Sequence, residues 1–199
     1  NLRKKQLILV DHNEKSQAVD GIDQAEVLEI IDHHRIGSME TEGPVYFRNV
    51  PVGCTCTIIY QMYLENAVEI DPTTAGLMLS AILSDTLMFR SPTCTSMDER
   101  AARALAEIAG VDLEQYADAM FEAGGDISGK TAEEVFRGDY KIFNSGEVRF
   151  GVGQGSYMSQ KNRLASEELL GPYLPIALEK QGLDFIFYMF TDVRSASTD

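Results

Sequence analysis

The chain has three histidines, and all of them stand just beyond a short apolar run that ends in aspartate. Ile30-Ile31-Asp32-His33-His34-Arg35 places a carboxylate and two adjacent imidazoles at the end of one such run, and Leu7-Ile8-Leu9-Val10-Asp11-His12-Asn13-Glu14 repeats the pattern. Strand ends in α/β sheets are where ligand groups are usually presented, so the repetition points to a metal or phosphate site. Asp85 is a further candidate, because it closes the apolar stretch Ala75 to Leu83 in Ser84-Asp85-Thr86. A carboxylate at the C-terminal end of a buried helix faces both desolvation and the negative end of the helix dipole unless a cation lies beside it.

Asp11, Asp32, His33, His34 and Asp85 combine hard carboxylate oxygens with borderline imidazole nitrogens, a donor set for divalent metal. Carboxylates can bridge two ions, and the mixture leans toward Mn²⁺, Co²⁺ or Zn²⁺ rather than Ca²⁺. Taken singly, an aspartate after a strand is a turn or a cap, and a lone histidine is a hydrogen-bonded core residue. Two strand-end Asp-His units together with Asp85 favour the metal reading. Arg35 reads equally as a surface ion pair or a phosphate contact, and Glu14 as a loop carboxylate.

The elements that must position these groups are short strands followed by helices. Leu7 to Val10 and Val27 to Ile31 read as buried strands, joined by a surface loop or short helix, and Val45 to Val50, bracketed by Pro44 and Pro51, is a third extended segment. Helical spacing runs from Thr55 to about Glu65. Asp71-Pro72 opens a second helix that is apolar nearly all round and is expected to be buried. Ser96-x-x-Glu99 has the form of a capping box and starts a helix ended by Gly110; another covers about Leu113 to Glu122. Ala123-Gly124-Gly125-Asp126-Ile127-Ser128-Gly129 is expected to be flexible and to divide the chain into residues 1–123 and 124–199. Beyond it come a short helix capped at Thr131, a hairpin around Asn144-Ser145-Gly146, helix from Lys161 to Glu179 broken at Gly171-Pro172, and a buried strand, Phe185 to Phe190. The expected fold class is α/β in two parts.

The formal net charge of −14 argues against holding nucleic acid through basic patches. No apolar stretch approaches the ~20 residues that cross a bilayer, and Asn1 to Lys5 lacks a signal-peptide apolar region, so a cytoplasmic chain without membrane partners is expected. Cys54, Cys56 and Cys94 lack disulfide or zinc-knot spacing and read as core residues of a reduced protein.

Val10-Asp11-His12-Asn13, Asp32-His33-His34-Arg35, Pro51-Val52-Gly53-Cys54-Thr55-Cys56-Thr57 and Ser84-Asp85-Thr86-Leu87 with Ser91-Pro92-Thr93 together resemble the DHH phosphoesterase superfamily. More narrowly they resemble the family II, manganese-dependent inorganic pyrophosphatases. Asp126-Ile127-Ser128-Gly129-Lys130-Thr131 and Asp139-Tyr140-Lys141 resemble the second, DHHA2 domain of those enzymes. The resemblance implies a DHH-type domain with a mainly parallel sheet flanked by helices, followed by a smaller α/β domain. It implies hydrolysis of pyrophosphate with Mn²⁺ or Co²⁺, and Mg²⁺ at additional sites. Asp11 would match the carboxylate bridging two ions, His33 and Asp85 ligands of one of them, His34 the histidine near the attacked phosphate, and Lys141 the lysine brought to the substrate. A homodimer is expected, through a sheet edge exposed by the metal-site domain.

Two departures accompany the resemblance. Family members begin with a His-x-Asn-Pro-Asp-x-Asp motif and close with a Ser-Arg-Lys-Lys-Gln-like segment, and neither occurs here. The expectation is therefore an incomplete chain, weakly active or inactive alone, and adenine-nucleotide regulation if a CBS insert precedes Asn1. An exopolyphosphatase or DHH phosphodiesterase is the alternative among enzymes, and a non-catalytic regulatory or binding fragment the alternative outside them.

Overall fold

The computed structural model describes residues 2–3, 5–195 and 197–199. It forms two compact units, Asn1–Leu113 and Glu114–Asp199. The division expected at 123/124 falls at the far end of the helix that opens the second unit.

The first unit is built on a parallel sheet in the order β1-β2-β3, with β1 at Gln6–Val10, β2 at Glu26–Asp32 and β3 at Tyr46–Asn49. Two single 3-10 turns, Lys15–Gln17 and Ile22–Gln24, make the first crossover. Ile22 on the second turn drops into an apolar cluster with Leu9 and Ile30. On the other face of the sheet Ile31 packs with Val52 and Ile58. The segments Leu7 to Val10 and Val27 to Ile31 are therefore strands as expected, but β1 is not fully buried. It is an edge strand, and Ile8 and Val10 are 55% and 48% exposed.

Helices α1 (Thr55–Glu65), α2 (Pro72–Asp85) and α3 (Ser96–Ala109) follow. Asp71 caps α2 by accepting from the amides of Thr73 and Thr74, and Pro72 takes the first turn, where its missing N–H is not needed. The body of α2 buries Ala75, Met78, Leu79, Ile82 and Leu83, yet Leu77 is 69% exposed, so the helix is amphipathic rather than buried all round.

The capping box of α3 is one residue earlier than the sequence pattern suggested. Thr95 is the N-cap and Asp98, not Glu99, reciprocates. The physical reason is tertiary, because the capping carboxylate also serves partners in the core. Asp98 is fully buried and accepts from Gly53 N (2.8 Å), Thr57 Oγ1 (2.6 Å), Thr95 N (2.8 Å) and Thr95 Oγ1 (2.6 Å). It thereby fastens α3 to the turn that starts α1.

In the second unit α4 (Leu113–Gly124) and α5 (Ala132–Phe136) precede a sheet of order β4-β5-β6-β7. Strands β4 (Tyr140–Ser145) and β5 (Val148–Tyr157) form the expected hairpin, and β6 (Phe185–Asp192) joins parallel to β5 after α6 (Gln160–Leu170) and α7 (Tyr173–Gln181). The edge β7 is Ser197–Thr198. One sheet face lies on Phe136, Leu170 and Ala177. Strand β6 is correspondingly half-buried rather than buried, because alternate residues Phe185 and Phe187 point away and are 55% and 56% exposed.

Burial is the largest single influence on the Asp98 carboxyl and raises its pKa. The bonds from Thr57, Thr95 and the Gly53 and Thr95 amides together outweigh it and hold the pKa below the ordinary carboxylate value. A depressed folded-state value gives stability that is present above the unfolded pKa, about 4, and is lost as pH falls through the folded value. Asp98→Asn should therefore cost about 2–3 kcal/mol at neutral pH and flatten the acid decline of stability. Urea unfolding from about pH 7 to about pH 3 measures both, and an unchanged acid slope in the variant would contradict the assignment.

Candidate metal centre

Each candidate ligand of the first unit sits where regular structure stops. The parallel ladder continues one residue past β1, with Asp11 N donating to Ile31 O at 3.0 Å. Asp11 itself has φ +65°, in the left-handed region. Aspartate tolerates that conformation better than most residues, and such positions concentrate at functional sites. The turn exposes the Asp11 carboxylate, whose Oδ1 accepts from Thr55 Oγ1 at 2.8 Å and lies 3.4 Å from His33 Nε2.

Both ring nitrogens of His33 face acceptors, Nδ1 at 2.8 Å from Val52 O and Nε2 at 3.4 Å from Asp11 Oδ1; the shorter contact favours the proton on Nδ1, which leaves the Nε2 lone pair beside Asp11. This is the usual arrangement of a metal-ligating histidine held from behind by a carbonyl. His34 Nδ1 lies 2.8 Å from Asp32 Oδ1, leaving its Nε2 for a ligand. The side chain of His34 is 53% exposed and that of His33 13%. Among the described residues Asp11, His33 and His34 form a group whose candidate ligand atoms all lie within 4.8 Å of one another. An acidic oxygen with two imidazole nitrogens at that spacing fits a divalent cation.

Asp32 is not one of this group, although the sequence placed it among the candidates. It is fully buried. Oδ1 accepts from His33 N (2.8 Å) as well as from His34 N and Nδ1, and Oδ2 accepts from Asn13 Nδ2. Burial alone would raise its pKa, but these donors, led by His34 and Asn13, hold it below the ordinary value. Asp32 is a buried anion that orients the two histidines.

Asp85 ends α2 and is exposed, so the desolvation expected of it is absent. It stands outside the three-residue group and beside the thiols of Cys54 and Cys56. The Cys56 side chain, burial and the Asp85 carboxylate all push the Cys54 thiol up. Thr55, the first residue of α1, binds Asp11 while Cys54, its N-cap, meets Asp85. Both carboxylates thus approach the positive end of α1, which favours them. Gly53 permits this turn to lie against α3: a Cβ there would come 2.7 Å from Thr86 Cγ2 and 3.1 Å from Asp98 Oδ2.

Immediately after Asp85, Leu87, Met88 and Phe89 all have positive φ, between 48° and 66°. A left-handed turn without glycine costs about 1–2 kcal/mol per residue. Buried Thr86 holds it: Oγ1 donates to Ile82 O (2.6 Å) and accepts from Phe89 N (3.3 Å), and its carbonyl accepts from Ser91 N (2.8 Å). Nothing in the local sequence announces such a turn.

Beside His34 a cavity of about 310 Å³ is lined by Asn13, Glu14, Gln17, His34 and Arg35. Arg35 pairs with Glu14 at 2.9 Å with its own side chain 85% exposed, so the pair adds little stability. In the second unit Lys141 is exposed on β4, opposite Val152, and makes no ion pair among the described residues. No helix of the described residues is long and apolar enough to cross a membrane.

The fold and site define a two-unit α/β protein with a carboxylate and histidine cluster at the ends of parallel strands. Residues 2–82 match the DHH family, N-terminal domain, and residues 118–198 match the DHHA2 domain, so the chain carries a DHH domain followed by a DHHA2 domain. It is 47% identical over 187 residues to the "Probable manganese-dependent inorganic pyrophosphatase" of Bacillus anthracis, which takes in 94% of this chain and 60% of that protein. The Bacillus cytotoxicus protein of the same name is 48% identical over the same span. The chain thus spans about 60% of the length of these relatives. A solved structure of a candidate family II inorganic pyrophosphatase from Methanococcus jannaschii superposes with TM-score 0.68 at 34% identity, covering 98% of this chain and 66% of that one. An exopolyphosphatase-related protein of Bacteroides fragilis shares the fold, with TM-score 0.52 at 11% identity, covering 94% of this chain and 55% of that one.

With three histidines, the imidazole ¹⁵N spectrum is simple to assign. His33 should appear as the Nδ1–H tautomer, and diamagnetic Zn²⁺ should shift its Nε2 signal and leave Nδ1 protonated. An Nε2–H tautomer would rule out the ligand geometry.

Proposed function

We propose that the chain is the metal-binding and lysine-bearing portion of a manganese-dependent inorganic pyrophosphatase, hydrolysing pyrophosphate to two orthophosphates. The observation that carries this reading is the convergence of Asp11, His33 and His34 at the strand ends of a DHH domain that is followed by a DHHA2 domain. Similarity to relatives of that name over 94% of the chain supports it.

In this reading Asp11 would be shared between two ions, His33 would bind through Nε2, and Asp85 would complete the ligand set visible in residues 1–123. The cofactor is Mn²⁺ or Co²⁺, with Mg²⁺ at further sites. Bound cations supply Lewis-acid charge to phosphoryl oxygens and acidify water for in-line attack. His34, fixed at Nδ1 by Asp32, turns Nε2 toward the attacked phosphate, where it orients that group or assists proton transfer. Lys141, from residues 124–199, neutralises the substrate. The water oxygen bonds to phosphorus as the bridging P–O bond breaks, and the proton it sheds passes to the departing orthophosphate. The proposal carries with it a cytoplasmic, homodimeric protein, with adenine-nucleotide control if CBS domains accompany this chain.

The test is turnover of pyrophosphate, polyphosphate and a dinucleotide by the full-length protein with Mn²⁺. Pyrophosphate should be preferred, and His34→Gln should lower kcat by about 10²-fold or more. Preference for polyphosphate or the dinucleotide would select a different phosphoesterase. The 199-residue chain alone should be weakly active at most and hold one Mn²⁺ well, and two tight sites by calorimetry would contradict that.

A further inference from the structure

Asn13 is 3% exposed, directly after a strand end, where an asparagine usually serves its own turn. Here its carboxamide reaches residues some twenty positions away. Nδ2 donates to Asp32 Oδ2 and to Arg35 O (2.9 Å), Oδ1 accepts from Gly37 N, and the Asn13 carbonyl accepts from Met39 N (3.1 Å). The partners fix the orientation of the amide. Its nitrogen faces a carboxylate and a carbonyl, which only accept, and its oxygen faces an N–H, so a flipped amide would lose every bond.

Gly37 makes the approach possible. A Cβ at that position would lie 2.8 Å from Asn13 O and 2.9 Å from Asn13 Oδ1 and would collide with Glu14 Cγ. The loop carrying His33 and His34 is therefore pressed against the turn carrying Asp11, and Asn13 supplies the buried bonds between them, inside the exposed Arg35–Glu14 pair.

We propose that Asn13 is the positioning residue of this site: by tying the Asp11 turn to Asp32 and to the Gly37 amide, it sets the spacing between Asp11 on one strand end and His33 and His34 on the next. Asn13 does not touch the metal or the substrate. It acts through Asp32, whose Oδ1 holds the His34 ring while Oδ2 is held by Asn13. Its effect on metal affinity rests on the metal reading of Asp11 and His33; its effect on the His34 ring does not.

The experiment compares Asn13→Ala, Gly37→Ala and Ile22→Ala with the wild-type chain. Ile22 belongs to the apolar cluster beneath the same strands but shares none of these bonds, so its truncation lowers stability without opening the clamp. In the metal-free chain, His34 should show a single Nδ1–H tautomer by ¹⁵N NMR in wild type and Ile22→Ala, and averaged tautomers in Asn13→Ala and Gly37→Ala. Mn²⁺ affinity by electron paramagnetic resonance should fall about 10–100-fold in the two clamp variants, as for other groups that orient metal ligands, and stay within about twofold in Ile22→Ala.

An unchanged His34 signal in the clamp variants, or the same loss in Ile22→Ala, overturns the proposal. If Asn13→Ala does not fold, Gly37→Ala, which retains the carboxamide, decides it. A wild-type chain that binds no Mn²⁺ would refute the metal reading, and the His34 signals would still decide the role of Asn13.

Discussion

The buried charge of Asp32 is the constraint around which the first unit is arranged. An ionised carboxylate taken out of water is tolerated only when its lone pairs are filled. Here two backbone amides, one imidazole and one carboxamide fill them. The donors are not incidental to the site. Three belong to His33 and His34 themselves, so satisfying the charge shapes the loop beyond β2 that carries both rings.

A second buried carboxylate does for the helical layer what Asp32 does for the strand ends. Asp98 draws Gly53, Thr57 and Thr95 together and fixes the N-terminus of α1 in front of the sheet. That terminus receives Asp11 through Thr55 and Asp85 through Cys54, so two negative groups from distant parts of the chain share one positive helix end. The left-handed turn after Asp85 is the backbone strain that this placement entails, held by the buried hydroxyl of Thr86. Acidic and imidazole side chains held close together by neighbouring hydrogen bonds are suited to a divalent cation.

Much of this was legible along the chain. The apolar runs located β1, β2 and β3, proline and aspartate located the start of α2, and the Asp-His repetition located the strand ends where Asp11, His33 and His34 converge. Local chemistry sufficed because strand ends, caps and turns are written in neighbouring residues. It misjudged what depends on the third dimension. The residue type of Asp32 suits a ligand, but its carboxylate is buried and spent on Asn13, His33 and His34. The α3 cap shifted to Asp98 because the core needed that carboxylate. The runs in β1 and β6 looked buried, whereas each presents one face that no described element of its own unit covers.

The sequence by itself determined an α/β chain in two parts, with its chemistry at strand ends and the residue types of a divalent-metal site. Only the tertiary structure decided which carboxylate faces solvent and which faces the core. That distinction depends on donors brought from residues twenty to forty positions away, as with Asn13 for Asp32 and Thr55 for Asp11. Hydrogen-bond satisfaction of a buried charge is a property of the packed neighbourhood, so linear spacing carries no record of it.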